Sequence, residues 1–229
     1  MVHATISWTL QNYLRAIYTL EREAGEISTS LLAQRLGVSQ PSVTSMLKKL
    51  ASRKLIKYTP YLSFALTSAG ERLALEAVRH HRLLEAYLQR ALGYGLDELD
   101  DEAERLEHAI SEKLEDKIDE FLGHPAFDPH GSPIPDRAGR IRERDLVPLA
   151  SLCEGDNAVV GQITCRDSGQ LRYMESIGLV PGETIHIEGT DSGSDVVRLR
   201  LSSGEEEPIG ERIACCVLVT RNGSDSKKG

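Results

Sequence analysis

From Trp8 to about Glu23 apolar residues return at helical spacing, with Leu10, Tyr13, Leu14, Ile17 and Leu20 on one face and Gly25 ending the run. That pattern predicts a first amphipathic helix. A shorter helix follows Ser28 and Thr29, turns Leu32 and Leu36 inward and stops at Gly37, a residue suited to the left-handed backbone after a helix end. Ser39 is placed to cap a third helix, Pro41 fits its first turn, and Val43, Met46, Leu47 and Leu50 form its apolar stripe. Two helices separated by Leu36-Gly37-Val38-Ser39 read as a helix-turn-helix. Around Pro60, Leu55 to Thr59 and Leu62 to Leu66 read as a hairpin, which would make the motif winged.

Ser68-Ala-Gly-Glu71 then reads as a capping box opening a long helix through Arg90. Gly93-Tyr-Gly95 breaks it, and a second long helix is expected from Asp97 to Leu122. The two stripes, Val78, Leu84, Tyr87 and Leu88 against Leu99, Leu106, Ile110 and Leu114, exceed what one hairpin covers, so a homodimer is expected to bury the excess. The stretch from His124 to Asp145, with Pro133-Ile-Pro135, has the composition of a linker. Beyond it the period changes. Ala158 to Ile163, Glu183 to Glu188, Val196 to Leu201 and Ala214 to Thr220 alternate or run β-branched between Gly-rich turns, predicting a small β-barrel, and Gly223 to Gly229 reads as a disordered tail. The fold class is mainly α with a small β domain.

At 229 residues the chain has room for two domains or three small ones. Its 40% hydrophobic and 27% charged content is that of a globular protein, and apolar runs such as Leu146 to Leu152 are far short of the roughly 20 residues a bilayer requires. A cytoplasmic location is expected. The cysteines, Cys153, Cys165, Cys215 and Cys216, include no CxxC pair and read as reduced, buried thiols. A net charge of −8 looks wrong for a nucleic-acid binder until it is divided along the chain. Residues 1–75 hold 9 Lys and Arg against 4 Asp and Glu, residues 76–145 hold 10 against 18, and the remainder 8 against 13. A basic N-terminal module thus precedes an acidic remainder.

Two groups of side chains carry candidate chemistry. Ser39, Gln40, Pro41, Ser42, Thr44 and Ser45 surround the start of the third helix, followed by Lys48, Lys49, Arg53, Lys54 and Lys57. Small polar groups at a helix N-terminus let the backbone approach base edges, while the cations neutralise phosphates of double-stranded DNA. The second group lies on the long helices. His81 and Glu85 are one turn apart, and Asp100, Glu104, Glu107 and His108 share one face of the next helix. Carboxylates crowded on one stripe repel unless a cation or Arg resolves them. Imidazole with excess hard oxygen suits Mn²⁺, Fe²⁺, Co²⁺ or Zn²⁺, toward the manganese end.

This order of parts resembles the diphtheria-toxin-repressor and manganese-transport-regulator family of metal-dependent transcription factors. The resemblance rests on Tyr13-Leu-Arg-Ala-Ile-Tyr18, Val38-Ser-Gln-Pro-Ser-Val-Thr44, Leu66-Thr-Ser-Ala-Gly70, His81-Arg-Leu-Leu-Glu85 and Glu104-Arg-Leu-Glu-His108, and runs continuously from residue 7 to 135. Leu171-Arg-Tyr-Met-Glu-Ser-Ile-Gly-Leu-Val-Pro-Gly182 is similar to the signature of the family's C-terminal SH3-like barrel. The resemblance implies a winged helix-turn-helix over residues 1–75 and a helical dimerisation and metal-binding domain with linker over 76–145. An SH3-like, FeoA-type domain over 146–222 and a tail over 223–229 complete the chain. The implied function is a metal-activated repressor of metal-homeostasis genes, working as a homodimer on an operator.

Carried over residue by residue, the resemblance makes Glu104, Glu107 and His108 ligands from the acidic helix and His81 and Glu85 ligands of a neighbouring subsite. Glu104 stands where iron-responding members have Cys, which implies Mn²⁺ as the favoured cofactor with Fe²⁺ as the alternative. Asn12 falls on the helix-one ligand position, Asp in manganese regulators and Met in iron regulators. Arg15 replaces the second acidic residue of short manganese regulators, and Asp100 replaces a His of iron-type members. Asp167 and Gln170 sit at the i, i+3 spacing of the two ligands the barrel lends to the subsite of His81 and Glu85. Two other function classes fit parts of the pattern. A metallohydrolase would use similar ligands to activate water, and phosphoester or peptide turnover would reveal it. A winged-helix regulator sensing an organic ligand would leave the acidic face merely solvated, and calorimetry with Mn²⁺ would separate the two.

Overall fold

The computed structural model describes residues 7–24, 27–59, 63–107, 109–191 and 196–221. Gly25, Pro60 to Leu62, His108 and the residues from Gly223 onward lie outside the described residues. The chain forms two compact units, one of Met1–His81 with Pro135–Ile141 and one of Arg82–Ile134 with Arg142–Gly229.

In the first unit α1 (Trp8–Ala24) buries Leu10, Leu14 and Ile17 completely, the i, i+4, i+7 stripe that makes a helix of this segment. α2 (Thr29–Leu36) is capped by Ser28 Oγ, which accepts from Leu31 N at 3.1 Å, and ends on Gly37 at φ +63°. α3 (Gln40–Ser52) starts at the Ser39 cap with Pro41 in its first turn and buries Val43, Leu47 and Leu50. The wing follows as β1 (Ile56–Thr59) and β2 (Ser63–Leu66), antiparallel with Ile56 opposite Leu66 and Thr59 opposite Ser63.

α4 (Ser68–Tyr87) is capped one residue earlier than the sequence suggested. Thr67 Oγ1, not Ser68, accepts from Gly70 N at 3.1 Å, while Thr67 O accepts from Glu71 N at 2.7 Å. Thr67 wins the cap because the same hydroxyl donates to Lys54 O at 2.8 Å and to Leu55 O at 3.1 Å, tying the helix start to the residues just before β1. The division between the units falls within the residues of α4, between His81 and Arg82. α4 passes into a π-helical turn over Leu88–Leu92 that closes on Gly93 at φ +74°.

The second long helix is two helices. α5 (Leu99–Leu106) ends at Glu107, and α6 (Glu112–Leu122) begins anew where Ser111 Oγ accepts from Leu114 N at 3.3 Å. A Ser that can satisfy the N–H groups of a fresh helix start offsets the hydrogen bonds lost at the break. The expected linker is also folded. Ile134 is buried in the second unit's core, Phe127 bridges Pro133, and Asp128 is buried. In the first unit Arg79 Nη1 donates to Pro135 O at 2.9 Å, and Ile141 packs against that unit's core.

The rest of the second unit is a six-stranded antiparallel sheet of order β3-β8-β4-β5-β6-β7. Its strands are β3 (Val147–Pro148), β4 (Asn157–Ile163), β5 (Thr184–Asp191), β6 (Val196–Leu201), β7 (Glu206–Gly210) and β8 (Val217–Arg221). Register shifts between Val160 and Gln162 and between Ile187 and Gly189 bend it as bulges do. Pro208 is tolerated because β7 is an edge strand. α7 (Ser168–Ser176) follows β4, and α8 (Glu211–Cys216) takes residues 214–216 that had been read as strand. One core joins the helices to the sheet, from Leu83, Leu99 and Leu122 to Ala158, Leu199 and Val219. The apolar excess differs from the expected stripes. Val78, Leu84, Leu88 and Leu99 are buried within the chain, whereas Leu92, Leu114 and Phe121 of the 88–122 region are exposed. Nor are all thiols buried: Cys153 and Cys215 are exposed, and Cys165 and Cys216 are half-buried. No helix among the described residues is long and apolar enough to cross a membrane.

Candidate metal centre and nucleic-acid interface

The outer side of α3 begins at Ser39, whose Oγ lies 2.9 Å from Ser42 Oγ and accepts from Ser42 N at 3.4 Å. Gln40, Pro41, Ser42, Ser45, Lys48, Lys49 and Arg53 are exposed, as are Lys54 and Lys57. Thr44 is half-buried and donates to Gln40 O at 3.1 Å. Burial of Val43, Leu47 and Leu50 on the opposite side fixes which face is turned outward. The result is a short hydroxyl- and amide-bearing helix start followed by cations, the chemistry of groove and phosphate contact.

The second group grows from α4 and α5. His81 and Glu85 are buried one turn apart on α4, and Leu99 and Ala103 anchor the inner side of α5 so that Asp100 is presented from its first turn. One ligand atom from each of His81, Glu85 and Asp100 falls within 4.8 Å of the others. Glu85 is buried and Asp100 about half exposed, and two carboxylates so close repel one another, a repulsion that a cation between them relieves. One imidazole and two carboxylates form a donor set that fits a divalent transition metal, on the hard side of the range.

Asp100 therefore joins His81 and Glu85, an association its spacing from Glu104 did not announce. Glu104 is half-buried and Glu107 buried at the end of α5, and Asn12 is buried on α1. Asp167 and Gln170 are engaged elsewhere. Asp167 Oδ1 caps α7, accepting from Gln170 N at 2.9 Å, and Gln170 Oε1 accepts from the Cys165 thiol at 2.8 Å. The same loop reaches the group through Arg166, whose Nη1 donates to Asp100 Oδ1 at 3.2 Å. Nothing in the local pattern singled out Arg166.

Sequence reasoning also missed the polar lining behind Glu85. The segment 128–132 is a tight loop in which Asp128 Oδ1 accepts from Ser132 N at 2.8 Å and Gly131 N donates to Asp128 O at 2.9 Å. Arg82 Nε lies 3.4 Å from Asp128 Oδ2. Burial, and then the Glu85 carboxylate, push the Asp128 carboxyl up to about 6 against the pull of Arg82. His130 places Nε2 at 3.0 Å from Leu96 O and Nδ1 at 3.7 Å from Glu85 Oε1. The signal available was a Pro-rich stretch containing Asp128 and His130, indistinguishable from a solvated linker.

Three family models match successive parts of the chain. Residues 5–63 match the iron dependent repressor N-terminal DNA binding domain, 67–136 the iron dependent repressor metal binding and dimerisation domain, and 147–221 the FeoA domain. The iron-dependent repressor IdeR of Mycobacterium tuberculosis is 30% identical over 228 residues, covering 93% of this chain and 97% of that protein. The chain belongs to the diphtheria toxin repressor family. Within that family the diphtheria toxin repressor of Corynebacterium glutamicum is 35% identical over 190 residues, 78% of this chain and 83% of that protein. A solved manganese-dependent transcriptional repressor in complex with manganese is 35% identical. It superposes with a TM-score of 0.86 over 93% of this chain and 99% of its own.

Proposed function

We propose that the chain is a divalent-metal-activated, DNA-binding transcriptional repressor of metal-homeostasis genes, acting in the cytoplasm as a homodimer. The observation that carries this reading is the convergence of buried His81 and Glu85 with the partly exposed Asp100 in a member of this family. The bound metal would supply a fixed positive centre that resolves the repulsion of the carboxylates. His81 and Glu85 would hold it from α4 and Asp100 from α5, so that the two helices keep one spacing. Glu104, Glu107, Asn12 and His108 are the proposed donors of a second set. Asp167 and Gln170 would contribute only on giving up the cap of α7 and the Cys165 thiol.

The reading is of a binding machine rather than an enzyme. The exposed side of α3 would enter the major groove, with Lys48, Lys49 and Arg53 on phosphates and Gln40, Ser42 and Ser45 at base edges. Leu92, Leu114 and Phe121, exposed within the matched dimerisation region, would be covered by a second copy of the chain.

Mn²⁺ is the favoured activator because Glu104 offers hard oxygen where a thiolate would favour softer ions. Gel-shift selection of DNA with Mn²⁺, with Fe²⁺ and with a chelator tests the whole reading. Equal affinity for the selected operator in chelator and in Mn²⁺ would overturn it. Glu104→Cys should shift activation toward Fe²⁺, and an unchanged order of metals in that variant counts against the role of Glu104.

A further inference from the structure

His130 stands between the two chain segments that present the metal-binding group. Leu96 O can only accept a hydrogen bond, so the 3.0 Å contact puts a hydrogen on Nε2 and fixes which edge of the ring faces which neighbour. The other edge turns Nδ1 toward Glu85 Oε1 at 3.7 Å, longer than a hydrogen bond. The His130 side chain is 13% exposed and that of Glu85 6% exposed, so little water screens the contact. Glu85 is on α4, and Leu96 lies three residues before the start of α5, which carries Asp100. The imidazole is thus a strut with one end on each ligand-bearing segment.

The strut itself is held from behind by the sheet. Ile163 N, at the end of β4, donates to His130 O at 2.8 Å. Arg144 donates through Nη2 to Gly131 O and, at 2.6 Å, to Gly161 O, with its guanidinium 3.8 Å from the Phe127 ring centroid. Gln162 Nε2 donates to Ser132 Oγ at 3.2 Å. Gly131 is pressed so closely on the strand that a Cβ there would lie 2.1 Å from Gly161 O. Three residues of β4 and one arginine therefore fix the loop that aims the imidazole.

We infer that His130 is a positioning residue of the His81, Glu85 and Asp100 group, holding the Glu85 carboxylate at a set distance from the segment leading into Asp100. This rests on the proposal that the group binds metal. His130 touches the donor and not the ion, so its effect is that of an outer-shell partner, about tenfold to a hundredfold in metal affinity.

Two substitutions separate the ends of the strut. His130→Asn keeps an amide where Nδ1 was and loses the reach to Leu96 O. His130→Gln keeps one where Nε2 was and loses the contact with Glu85. Mn²⁺ titration calorimetry on the full chain should show His130→Asn within about threefold of wild type and His130→Gln weaker by about tenfold or more. The Co²⁺ absorption spectrum should be altered only in the Gln variant, with both variants melting close to wild type. Wild-type affinity in both variants, an equal loss in both, or a loss confined to the Asn variant would each overturn the inference. Glu85→Gln in the same experiment separates the two levels. If wild type and Glu85→Gln bind Mn²⁺ alike, the metal-site reading itself fails, whereas a loss in Glu85→Gln beside unaffected His130 variants defeats only the role of His130.

Discussion

Gly70→Ala should cripple the first unit, although alanine is the better helix former. Gly70 lies in the first turn of α4, and a Cβ added there would fall 1.9 Å from Leu55 O and 2.9 Å from Leu55 C. Ordinary carbon–oxygen contacts are about 3.3 Å, so the helix start must retreat from β1 by more than about 1 Å. Leu55 O cannot yield cheaply, because it accepts from Thr67 N at 3.0 Å and from Thr67 Oγ1 at 3.1 Å. Losing those two hydrogen bonds costs about 1 kcal/mol each. Overpacking adds about 2 kcal/mol, and the higher helix propensity of Ala returns about 1 kcal/mol. The net loss is about 3 kcal/mol. Gly37→Ala is the control: φ is +63° but nothing lies within 4 Å of the new Cβ, so only the left-handed backbone is penalised, at about 1 kcal/mol. Urea denaturation followed by far-UV circular dichroism measures both losses, and hydrogen exchange of peptides from residues 29–66 assigns them to the first unit. A wild-type midpoint for Gly70→Ala, or a loss no larger than that of Gly37→Ala, would refute the steric reasoning.

Replacing Phe121 and Leu114 by Ser removes apolar side chains that are 58% and 47% exposed, and should weaken self-association in sedimentation by at least about tenfold; unchanged association would place the dimer contact elsewhere. Burial, and then the neighbouring Cys165, push the Cys216 thiol up to about 12, which lowers its thiolate fraction near pH 8 about a thousandfold relative to an unperturbed thiol. Iodoacetamide mapping by mass spectrometry should therefore label exposed Cys153 and Cys215 first, and Cys216 reacting as fast as Cys215 would contradict the assignment. Lys48→Ala should weaken binding to all DNA sequences alike and flatten the salt dependence, whereas Ser42→Ala or Ser45→Ala should change which sequence is preferred in a selection.

The three helices of residues 8–52 were legible because their signals are local. Ser28, Gly37, Ser39 and Pro41 act on residues within one turn, and the apolar stripes of α1 and α3 coincide with the buried residues. The break between α5 and α6 was hidden, since Leu106, Ile110 and Leu114 keep a helical period across it and only the Ser111 cap marks the new start. The 124–145 stretch misled for a different reason. Pro and Gly lower local preference for helix or strand, but Ile134, Asp128 and His130 find their partners far along the chain, at Arg82, Leu96 and Ile163 among others. Likewise His81 and Glu85 could be paired by their i, i+4 spacing, while the approach of Asp100 depends on how the chain turns through Gly93 and Gly95. Period and capping show what a segment becomes; they do not show which distant polar atoms it will meet.

The interleaving of the two units along the chain determines how this protein can be made and cut. Because Pro135–Ile141 belongs with the N-terminal unit while the segments on either side belong to the other, no single cleavage yields two complete units. A fragment ending at residue 81 lacks Ile141 and the carbonyl that Arg79 uses. One ending near residue 141 keeps them, but removes Leu149, Ala158, Leu199 and Val219 from beside Leu83 and Leu99. During synthesis the N-terminal unit is complete only after residue 141 has left the ribosome, and the core that includes Leu83 waits for Val219, which lies 136 residues beyond Leu83. Throughout that interval the helices bearing His81, Glu85 and Asp100 lack much of the apolar surface that will bury their inner faces. A chain whose core residues arrive so far apart exposes apolar surface until its last strands are made.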